Sequence, residues 1–364
     1  MDCLIVGGGA IGLLTARELR AAGASVTLLE RQDFGRESSW AGGGILSPLT
    51  PWTVPDAITR LCRWSQQIYP TLAQELFRHS GIDPQWQPNG MLVRLEAADG
   101  DAVRRWSREN GVATEFLERA DVARLEPNLA TMERAVLLPQ VGHIRNPRLL
   151  AALRAEAEAS GIRLLSHQPV TDLEIASDRI TTVVTESCRY QADRVVIAGG
   201  AWSGTLGKLV GLSLPIEPVR GQMLAFAGHP AWLQRIVLAG GRYLIPRRDG
   251  TILAGSTVEH AGFDRNTTAE AGSQLAEFAR HWLPPLRNCP IEHHWAGLRP
   301  GSPEGIPIIS RHPAIANLYF NCGHFRNGLV MGPASARLLA DLVLERPPVV
   351  PAAPYRIQSI TLQN

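Results

Sequence analysis

The stretch that decides the fold is CLIVGGGAIGLLTARELRAAGASVTLLE, residues 3–30. It begins with a short apolar run, 3–6, which is typical of a buried parallel strand. Apolar residues at helical spacing follow over 10–22, and a second apolar strand, 25–29, ends at Glu30. Strand, glycine-rich turn, helix, strand and terminal acid together predict one complete βαβ unit.

The turn of this unit contains the pattern G-x-G-x-x-G at Gly7, Gly9 and Gly12. The first glycine permits a tight turn, the second lets a pyrophosphate approach the backbone, and the third lets helix and strand pack closely. The helix N-terminus supplies N–H groups for phosphate, and Glu30 can bind a ribose diol. The unit predicts FAD or NAD rather than NADP. A glycine-rich turn in an unrelated α/β protein is the alternative.

Two later segments favour FAD. The small-residue loop SSWAGGGI, 38–45, offers hydroxyls and bare backbone for a second approach to a pyrophosphate or an isoalloxazine ring. The segment RVVIAGGAWS, 194–203, predicts a strand that ends in small residues and can pass close to a cofactor. A flexible surface loop is the alternative for the first segment. For the second, the alternative is an ordinary sheet strand that ends in Gly-Gly.

The composition is that of an ordinary globular protein. The chain has 364 residues, of which 45% are hydrophobic and 19% charged, and at roughly 150 residues per domain this predicts about two domains. Its 36 basic and 34 acidic residues give a net charge of +2, which argues against a nucleic-acid partner. Five widely spaced cysteines without a C-x-x-C pair predict neither a disulfide framework nor a metal site.

Hydropathy patterning predicts a soluble protein of the cytoplasm. No apolar run approaches the roughly 18 residues that a membrane span needs. The apolar run 3–6 comes almost directly after Met1, without the basic and hydrophobic regions of a secretory signal.

Local patterns predict three further features. Residues 56–80 are expected to be largely helical, with Pro70 interrupting the helix. Asn146, followed by a proline, is expected to start another helix. The proline-rich segment after Pro347 is expected to lie over the surface.

Two motifs in the last quarter of the chain resemble those of a known family. They are WAGLRPG at 295–301 and GHFRNG at 323–328, with PIISR at 307–311 between them. With the N-terminal unit, they make the chain similar to the FAD-dependent amino-acid oxidases of the D-amino-acid oxidase superfamily. Within that superfamily, the sequence resembles the glycine oxidases of the thiamine-biosynthesis type, as far as about residue 340.

The resemblance implies an α/β fold with two interleaved domains. A Rossmann-like FAD-binding domain of the glutathione-reductase type would comprise 1–80, 146–214 and 292–345. A mixed-sheet, α+β substrate-binding domain would comprise 81–145 and 215–291. Residues 346–364 would form a C-terminal tail.

The resemblance implies that Arg299, Tyr243 and Arg326 are the catalytic and substrate-binding residues. Arg299 would clamp the substrate carboxylate, since the planar guanidinium matches two oxygens, and Tyr243 would hydrogen-bond the same group. Arg326 would lie near substrate and flavin, and Ile45 beside the flavin in the substrate site. The alternative for Arg299 is a structural arginine paired with an acid. For Tyr243 it is a core residue whose hydroxyl contacts solvent, and for Arg326 it is a surface cation.

The resemblance implies a cofactor site built from the whole chain around noncovalent FAD. Its predicted members are Gly7, Gly9, Ala10, Ile11, Gly12, Glu30, Arg31, Ser38, Ser39, Gly43, Gly44, Ile45, Val170, Gly199, Trp202, His324, Phe325, Arg326, Asn327, Gly328, Leu329 and Val330. Backbone N–H groups of 327–329, at a helix N-terminus, would stabilise the reduced flavin. His324 would contact the cofactor rather than act as a base, because hydride loss from a neutral amine needs no protein base.

The implied activity is the oxidative deamination of glycine, with sarcosine and other small amino acids as further substrates. Hydride would pass from the amine Cα to flavin N5, and O2 would reoxidise the flavin and give H2O2. The imine would yield glyoxylate and ammonia or pass to thiazole synthesis. The implied partners are the amino acid, O2, further copies of the chain in a tetramer and a thiazole synthase.

Some positions depart from the glycine-oxidase pattern. The relatives carry histidine where this chain has Gly241, two residues before Tyr243, and methionine where it has Ile45. These departures leave the substrate range open. Segment 290–321 contains no cysteine for covalent flavin attachment, and the one lysine, Lys208, is expected on the surface rather than beside the flavin.

Other functions remain open at the level of the sequence. The chain is also compatible with a sarcosine-oxidase-like amine oxidase or a D-amino-acid dehydrogenase that passes electrons to a quinone. Reduced flavin that persists in air and reacts quickly with quinone would identify the dehydrogenase. A flavoprotein without turnover is the third option, and bound flavin that no amine bleaches would identify it.

Overall fold

The structure is a computed structural model that describes residues 1–96 and 98–357. Its α-helices are α1 Ala10–Ala21, α2 Ser38–Ala41, α3 Asp56–Ser80, α4 Asp99–Asn110, α5 Arg119–Leu125, α6 Asn146–Ala159, α7 Ser203–Lys208, α8 Ala269–Trp282 and α9 Gly328–Val343. Its strands are β1 Asp2–Val6, β2 Ser25–Leu29, β3 Met91–Arg94, β4 Glu115–Glu118, β5 Arg134–Leu138, β6 Arg163–Leu165, β7 Val170–Ala176, β8 Arg179–Thr185, β9 Arg189–Tyr190, β10 Arg194–Ile197, β11 Glu217–Phe226, β12 Ile236–Ala239, β13 Arg242–Pro246, β14 Ile252–Gly255, β15 Ile291–Gly301, β16 Ile308–Arg311 and β17 Leu318–Cys322.

The first sheet has six strands in the order β16-β17-β10-β1-β2-β6. The pairings from β17 to β6 are parallel, and β16 joins the edge antiparallel. Leu4 and Ile5 in β1 are 2% and 0% exposed, because both faces of the sheet are covered. Ile5 packs among residues of α1, α3, α6 and α9, while Leu4 packs on the other face with residues of the three-stranded sheet β7-β8-β9.

The second sheet has eight strands in the order β15-β11-β14-β13-β12-β3-β5-β4. Its long pair, β11 and β15, runs antiparallel from Glu217 opposite Gly301 to Phe226 opposite Ile291. Helix α8 covers one face, where Phe226 is fully buried. The other face contributes Tyr243 to a separate apolar cluster that Ile45 also contacts. The two kinds of sheet confirm the predicted fold class.

The two sheets draw their strands from alternating parts of the chain. The six-stranded sheet uses segments within 2–29, 163–197 and 308–322, and the eight-stranded sheet uses segments within 91–138 and 217–301. Strand β15 pairs with β11 and belongs to the second sheet. The predicted division into an FAD-binding domain, a substrate-binding domain and a tail stays a prediction.

Two local predictions differ from the structure. Helix α3 runs without a break through Pro70, because Tyr69 and Leu76 on its buried face pack into the core and compensate for the missing N–H. The chain after Pro347 does not simply cover the surface. Tyr355 is 1% exposed and its hydroxyl donates to the Ala57 carbonyl oxygen at 2.8 Å. Residues 358–364 of the predicted tail lie outside the described residues.

The helices of residues 1–96 and 98–357 include none that is both long and apolar enough to cross a membrane. In the same ranges, no three His, Cys, Asp or Glu side chains are grouped as a metal site.

Candidate functional site

A cavity of about 390 Å³ lies where the carboxyl ends of β1, β2 and β10 face the second sheet. Ligands of open α/β sheets bind at such an edge. The predicted site residues that line it are Gly7, Gly9, Ala10, Ile11, Glu30, Arg31, Ser38, Ser39, Gly43, Gly44, Ile45, Val170, Gly199, Trp202, Tyr243, Arg299, His324, Phe325, Arg326, Asn327, Gly328 and Leu329. The structure thus brings together nearly the whole predicted set.

Gly12 and Val330 do not line the cavity. A Cβ on Gly12 would lie 1.9 Å from the carbonyl oxygen of Gly7, so this glycine serves the close packing of helix on strand. The Val330 side chain is fully buried in the core beside α1 and α3. Its side chain therefore packs in the core, and its predicted cofactor contact stays a prediction.

The first turn of α1 presents free backbone donors to one end of the cavity. Within the described residues, the N–H groups of Gly9, Ile11 and Gly12 have no protein partner, and that of Ala10 donates to Oγ of Ser39 at 3.0 Å. A Cβ at position 9 would meet Ser39 Oγ at 3.1 Å and otherwise open space. This turn can therefore bind phosphate oxygens directly.

Glu30 and the residues after it form the wall next to α1. The Glu30 carboxylate accepts from the N–H groups of Gly8 at 2.7 Å and Gln32 at 3.0 Å. Burial raises the pKa of Glu30, and the two hydrogen bonds oppose that shift. The Arg31 guanidinium lies 3.5 Å from the centre of the Trp202 ring, so both side chains form one layered wall.

The loop 42–45 forms the opposite wall. Among the described residues, the N–H groups of Gly43, Gly44 and Ile45 have no protein partner. Gly44 has φ +79°, and a Cβ there would lie 2.0 Å from the carbonyl oxygen of Ile144. Only glycine fits this backbone conformation. The conformation leaves the three N–H groups free to bind a ligand.

Arg299, Tyr243 and Arg326 come together from β15, β13 and the turn before α9. Arg299 donates from Nη2 to Ser256 Oγ at 2.7 Å and from Nη1 to the Thr257 carbonyl oxygen at 3.0 Å. Among the described residues it has no carboxylate partner. Burial lowers the pKa of Arg299, opposed by Tyr243, and the Arg326 cation lowers it further; an arginine nevertheless stays charged at neutral pH.

Tyr243 has an underused hydroxyl. The residue is 7% exposed, and among the described residues the hydrogen-bond partner of its Oη is the Met223 thioether at 3.8 Å, a weak acceptor. Arg326 is exposed to the cavity and makes no ion pair within residues 1–96 and 98–357. Two cations and one phenol therefore converge without an acid, an arrangement that suits a ligand carboxylate.

His324 lies at the start of the segment that leads into α9. It is 1% exposed, its Nε2 lies 3.0 Å from Ser335 Oγ, and burial lowers its pKa to about 3. The ring is therefore neutral at physiological pH. No side chain caps the N-terminus of α9, and Asn327, Gly328 and Leu329 line the cavity, so the positive end of this helix faces it.

Three lining or supporting residues were not predicted. Asn146 is 2% exposed, donates to the Ser39 carbonyl oxygen at 2.7 Å and has a buried Oδ1 without a partner in the described chain. Ser256 orients Arg299, and Arg247 donates to the Gly43 carbonyl oxygen. Sequence patterns marked Asn146 only as a helix start, and no local pattern distinguishes Ser256 or Arg247.

FAD fits this set of groups. The first turn of α1 offers N–H donors for the pyrophosphate, and Glu30 lies at the end of β2 where a ribose binds. Loop 42–45 and the N-terminus of α9 offer further N–H groups at the other end. These donors would bind the flavin, whose ring carries several acceptor atoms.

Comparisons with known proteins identify the family of the chain. Residues 2–342 match the family described as FAD dependent oxidoreductase. The chain is 47% identical to glycine oxidase of Pseudomonas aeruginosa over 97% of each chain. It is 32% identical to the bifunctional protein ThiO/ThiG of Trichormus variabilis over 95% of this chain and 53% of that protein. The crystal structure of glycine oxidase from Geobacillus kaustophilus superposes with a TM-score of 0.92 at 30% identity, covering 99% of both chains.

Proposed function

Because this chain belongs to the FAD dependent oxidoreductase family, we propose that it is a glycine oxidase. The observation that carries the proposal is the convergence of Arg299, Arg326 and Tyr243 at the flavin end of the cavity. A relative at 47% identity bears the name glycine oxidase. The activity is the FAD-dependent deamination of glycine and other small amino acids.

The chain's own residues bind and orient the substrate. Arg299 presents its guanidinium to the carboxylate from a support of Ser256 and the Thr257 carbonyl oxygen. The Tyr243 hydroxyl donates to the same carboxylate, and Arg326 adds positive charge. Ile45 forms part of the apolar wall against which a small side chain fits.

The proposed reaction needs no acid or base from the protein. Bound FAD supplies the oxidising chemistry by taking two electrons from the amine carbon and passing them to O2. His324 stays neutral and buried against Ser335. The residue contributes to the wall of the cavity rather than to acid–base chemistry.

The decisive experiment is anaerobic addition of glycine to the yellow protein. Bleaching by glycine, recovery of the colour in air and release of H2O2 are expected. Bleaching by D-alanine alone, with rapid reoxidation by a quinone, would instead favour a D-amino-acid dehydrogenase. Flavin that no amine bleaches would favour a non-catalytic flavoprotein.

Replacement of the carboxylate clamp tests the substrate pose. Arg299→Ala should raise the KM for glycine about a hundredfold or more, because a buried charge pair with the carboxylate is lost, while FAD stays bound. Arg242→Ala is the matched control, since that guanidinium pairs with Gln274 on the outside of β13. Unchanged steady-state kinetics of the Arg299 variant would overturn the pose.

Cellular context is also proposed. We infer that the protein acts in the cytoplasm as a homo-oligomer and that its imine product is used in thiazole synthesis. The link to thiazole synthesis is supported by a relative whose name joins ThiO to ThiG in one bifunctional chain. Co-purification of this protein with a thiazole synthase, and its mass in solution, are the measurements that test these points.

A further inference from the structure

Arg247 is a buried cation immediately after β13, and it lies behind loop 42–45 of the cavity wall. It is 5% exposed. Its Nη2 donates to the Gly43 carbonyl oxygen at 2.9 Å, and its Nη1 contacts the Ile144 carbonyl oxygen at 3.1 Å and His143 Nδ1 at 2.8 Å. These partners are neutral, and within the described chain no carboxylate pairs with this guanidinium.

The neighbouring imidazole of His143 does not carry a charge that could compensate the Arg247 cation. His143 is fully buried, and burial together with the Arg247 cation lowers its pKa to about 2. The neutral ring accepts from Arg247 at Nδ1 and carries its proton on Nε2, which has no partner in the described residues. The nearby acid Asp249 pairs with Arg145 at 2.6 Å. The charge of Arg247 therefore remains without a direct counterion.

The guanidinium joins two backbone segments that meet beside the cavity. Ile45 and His143 form an isolated antiparallel bridge, with the Ile144 N–H donating to the Gly44 carbonyl oxygen at 2.9 Å. Arg247 spans this bridge from behind, between the carbonyl oxygens of Gly43 and Ile144. It thereby sets the orientation of the peptide units whose N–H groups lack protein partners.

The charges around the cavity are divided between its two ends. The acids that line it, Glu30 and Glu37, both follow β2 at the adenosine end. The flavin end has Arg299 and Arg326 on its wall, with Arg247 directly behind Gly43. An uncompensated buried cation is costly unless an anion arrives. The reduced cofactor and the substrate carboxylate are the anions that this end receives.

We propose that Arg247 is a positioning residue of the flavin site: it orients loop 43–45 towards the flavin, and its charge stabilises the reduced cofactor. The proposal rests on the FAD site of the proposed function. It does not depend on which amine is oxidised, because cofactor affinity and midpoint potential are measured without substrate. Failure of glycine to bleach the protein would overturn the glycine assignment and leave this proposal standing.

The experiment compares three variants loaded with FAD. Arg247→Met removes the charge and keeps the length, Arg247→Lys keeps the charge and loses the fork, and Arg248→Met is the matched control. Arg248 is exposed and pairs with Asp83 at 2.7 Å. The FAD dissociation constant is measured by flavin fluorescence, and the two-electron midpoint potential by equilibration with a reference dye.

Arg247→Met is expected to shift the midpoint potential to a more negative value and to raise the FAD dissociation constant about tenfold or more. Arg247→Lys should keep a potential near that of the parent protein and still bind FAD more weakly, and Arg248→Met should change neither quantity. A parent-like potential and affinity in Arg247→Met would overturn the proposal. If that variant does not fold, parent-like FAD affinity in Arg247→Lys would overturn the positioning role.

Discussion

Tyr243 and His324 acquire their roles from what surrounds them rather than from residue type. The Tyr243 hydroxyl is buried beside the Arg299 guanidinium, and its hydrogen-bond partner among the described residues is a weak thioether acceptor, so it remains available to a ligand oxygen. The His324 ring is buried deeply enough to stay neutral, which removes it from acid–base chemistry. At this scale, burial and the identity of the nearest acceptor decide whether a polar group binds substrate or supports the wall.

Tyr243→Phe should raise the KM for glycine by about tenfold, because one hydrogen bond to a charged carboxylate is lost. Thermal stability should change little, since the hydroxyl has no strong protein partner to lose. Steady-state kinetics and a melting curve measure the two effects. Tyr319→Phe, in the core and away from the cavity, is the control. An unchanged KM would place the carboxylate elsewhere.

His324 also predicts a specific pH dependence of stability. Its folded pKa of about 3 lies below the ordinary value of 6.5, so the unfolded chain binds the proton first. Stability from this group is complete above pH 6.5 and is lost as the pH falls towards 3, by about 1.4 kcal/mol per unit. Denaturant titrations of the FAD-free protein between about pH 4 and pH 7 measure the free energy of unfolding. As the pH falls, this free energy should decrease less in His324→Gln than in the parent. Exposed His260→Gln should match the parent, and equal slopes for all three proteins would refute the assignment.

At the scale of elements, the pair β11 and β15 makes room for the substrate clamp. Gly221 in β11 lies opposite Gly297 in β15. A Cβ on Gly221 would lie 2.1 Å from Nη1 of Arg299, within the space of the guanidinium. The Arg299 guanidinium therefore lies across β11 at a position where Gly221 has no side chain. The same strand position filled by alanine would push the guanidinium away.

Gly221→Ala should therefore raise the KM for glycine about tenfold or more through loss of the clamp, with FAD affinity unchanged. The fold should survive, because the obstructed atoms are the far end of a flexible side chain. Gly100→Ala in α4 is the control, since its Cβ would meet only Arg104 Nη1 at 3.8 Å. Kinetics and FAD titration decide the matter, and a parent-like KM would mean that Arg299 can bind glycine from another position.

At the scale of the whole molecule, segment 257–268 covers the adenosine end of the cavity. This segment connects β14 of the second sheet to α8. Phe263 packs on Trp202 with ring centres 5.3 Å apart, and Arg265 pairs with Glu37 at 2.8 Å. Glu37 also pairs with Arg31 at 3.0 Å. The cofactor cavity is therefore enclosed by parts of the chain that belong to different sheets.

The double variant Phe263→Ala and Arg265→Ala should release FAD several-fold faster, because the stack and the ion pair that close this end are lost. Its kcat at saturating FAD should equal that of the parent, since neither Phe263 nor Arg265 lines the cavity. Stopped-flow dilution of the holoprotein measures the release rate. Phe77→Ala, at a residue 54% exposed on α3, is the control; an unaltered rate would show that segment 257–268 does not retain the cofactor.

The sequence by itself determined the dinucleotide unit and the class of cofactor. Glycine spacing, helix start and terminal acid are local features, and every part of the G-x-G-x-x-G unit depends on backbone geometry within 30 residues. The motifs around Arg299 and Arg326 identified the family, and with it the residues that line the cavity. Such information is readable because short-range sterics restrict which residues can occupy these positions.

Only the tertiary structure decided how the distant parts cooperate. The Arg299 support by Ser256, the burial of the Val330 side chain and the buried cation Arg247 depend on contacts between segments far apart in the chain. Helix α3 crosses Pro70 because burial of its apolar face outweighs one lost hydrogen bond. Long-range packing sets burial, and burial sets charge and hydrogen-bond availability, so these properties follow no local pattern.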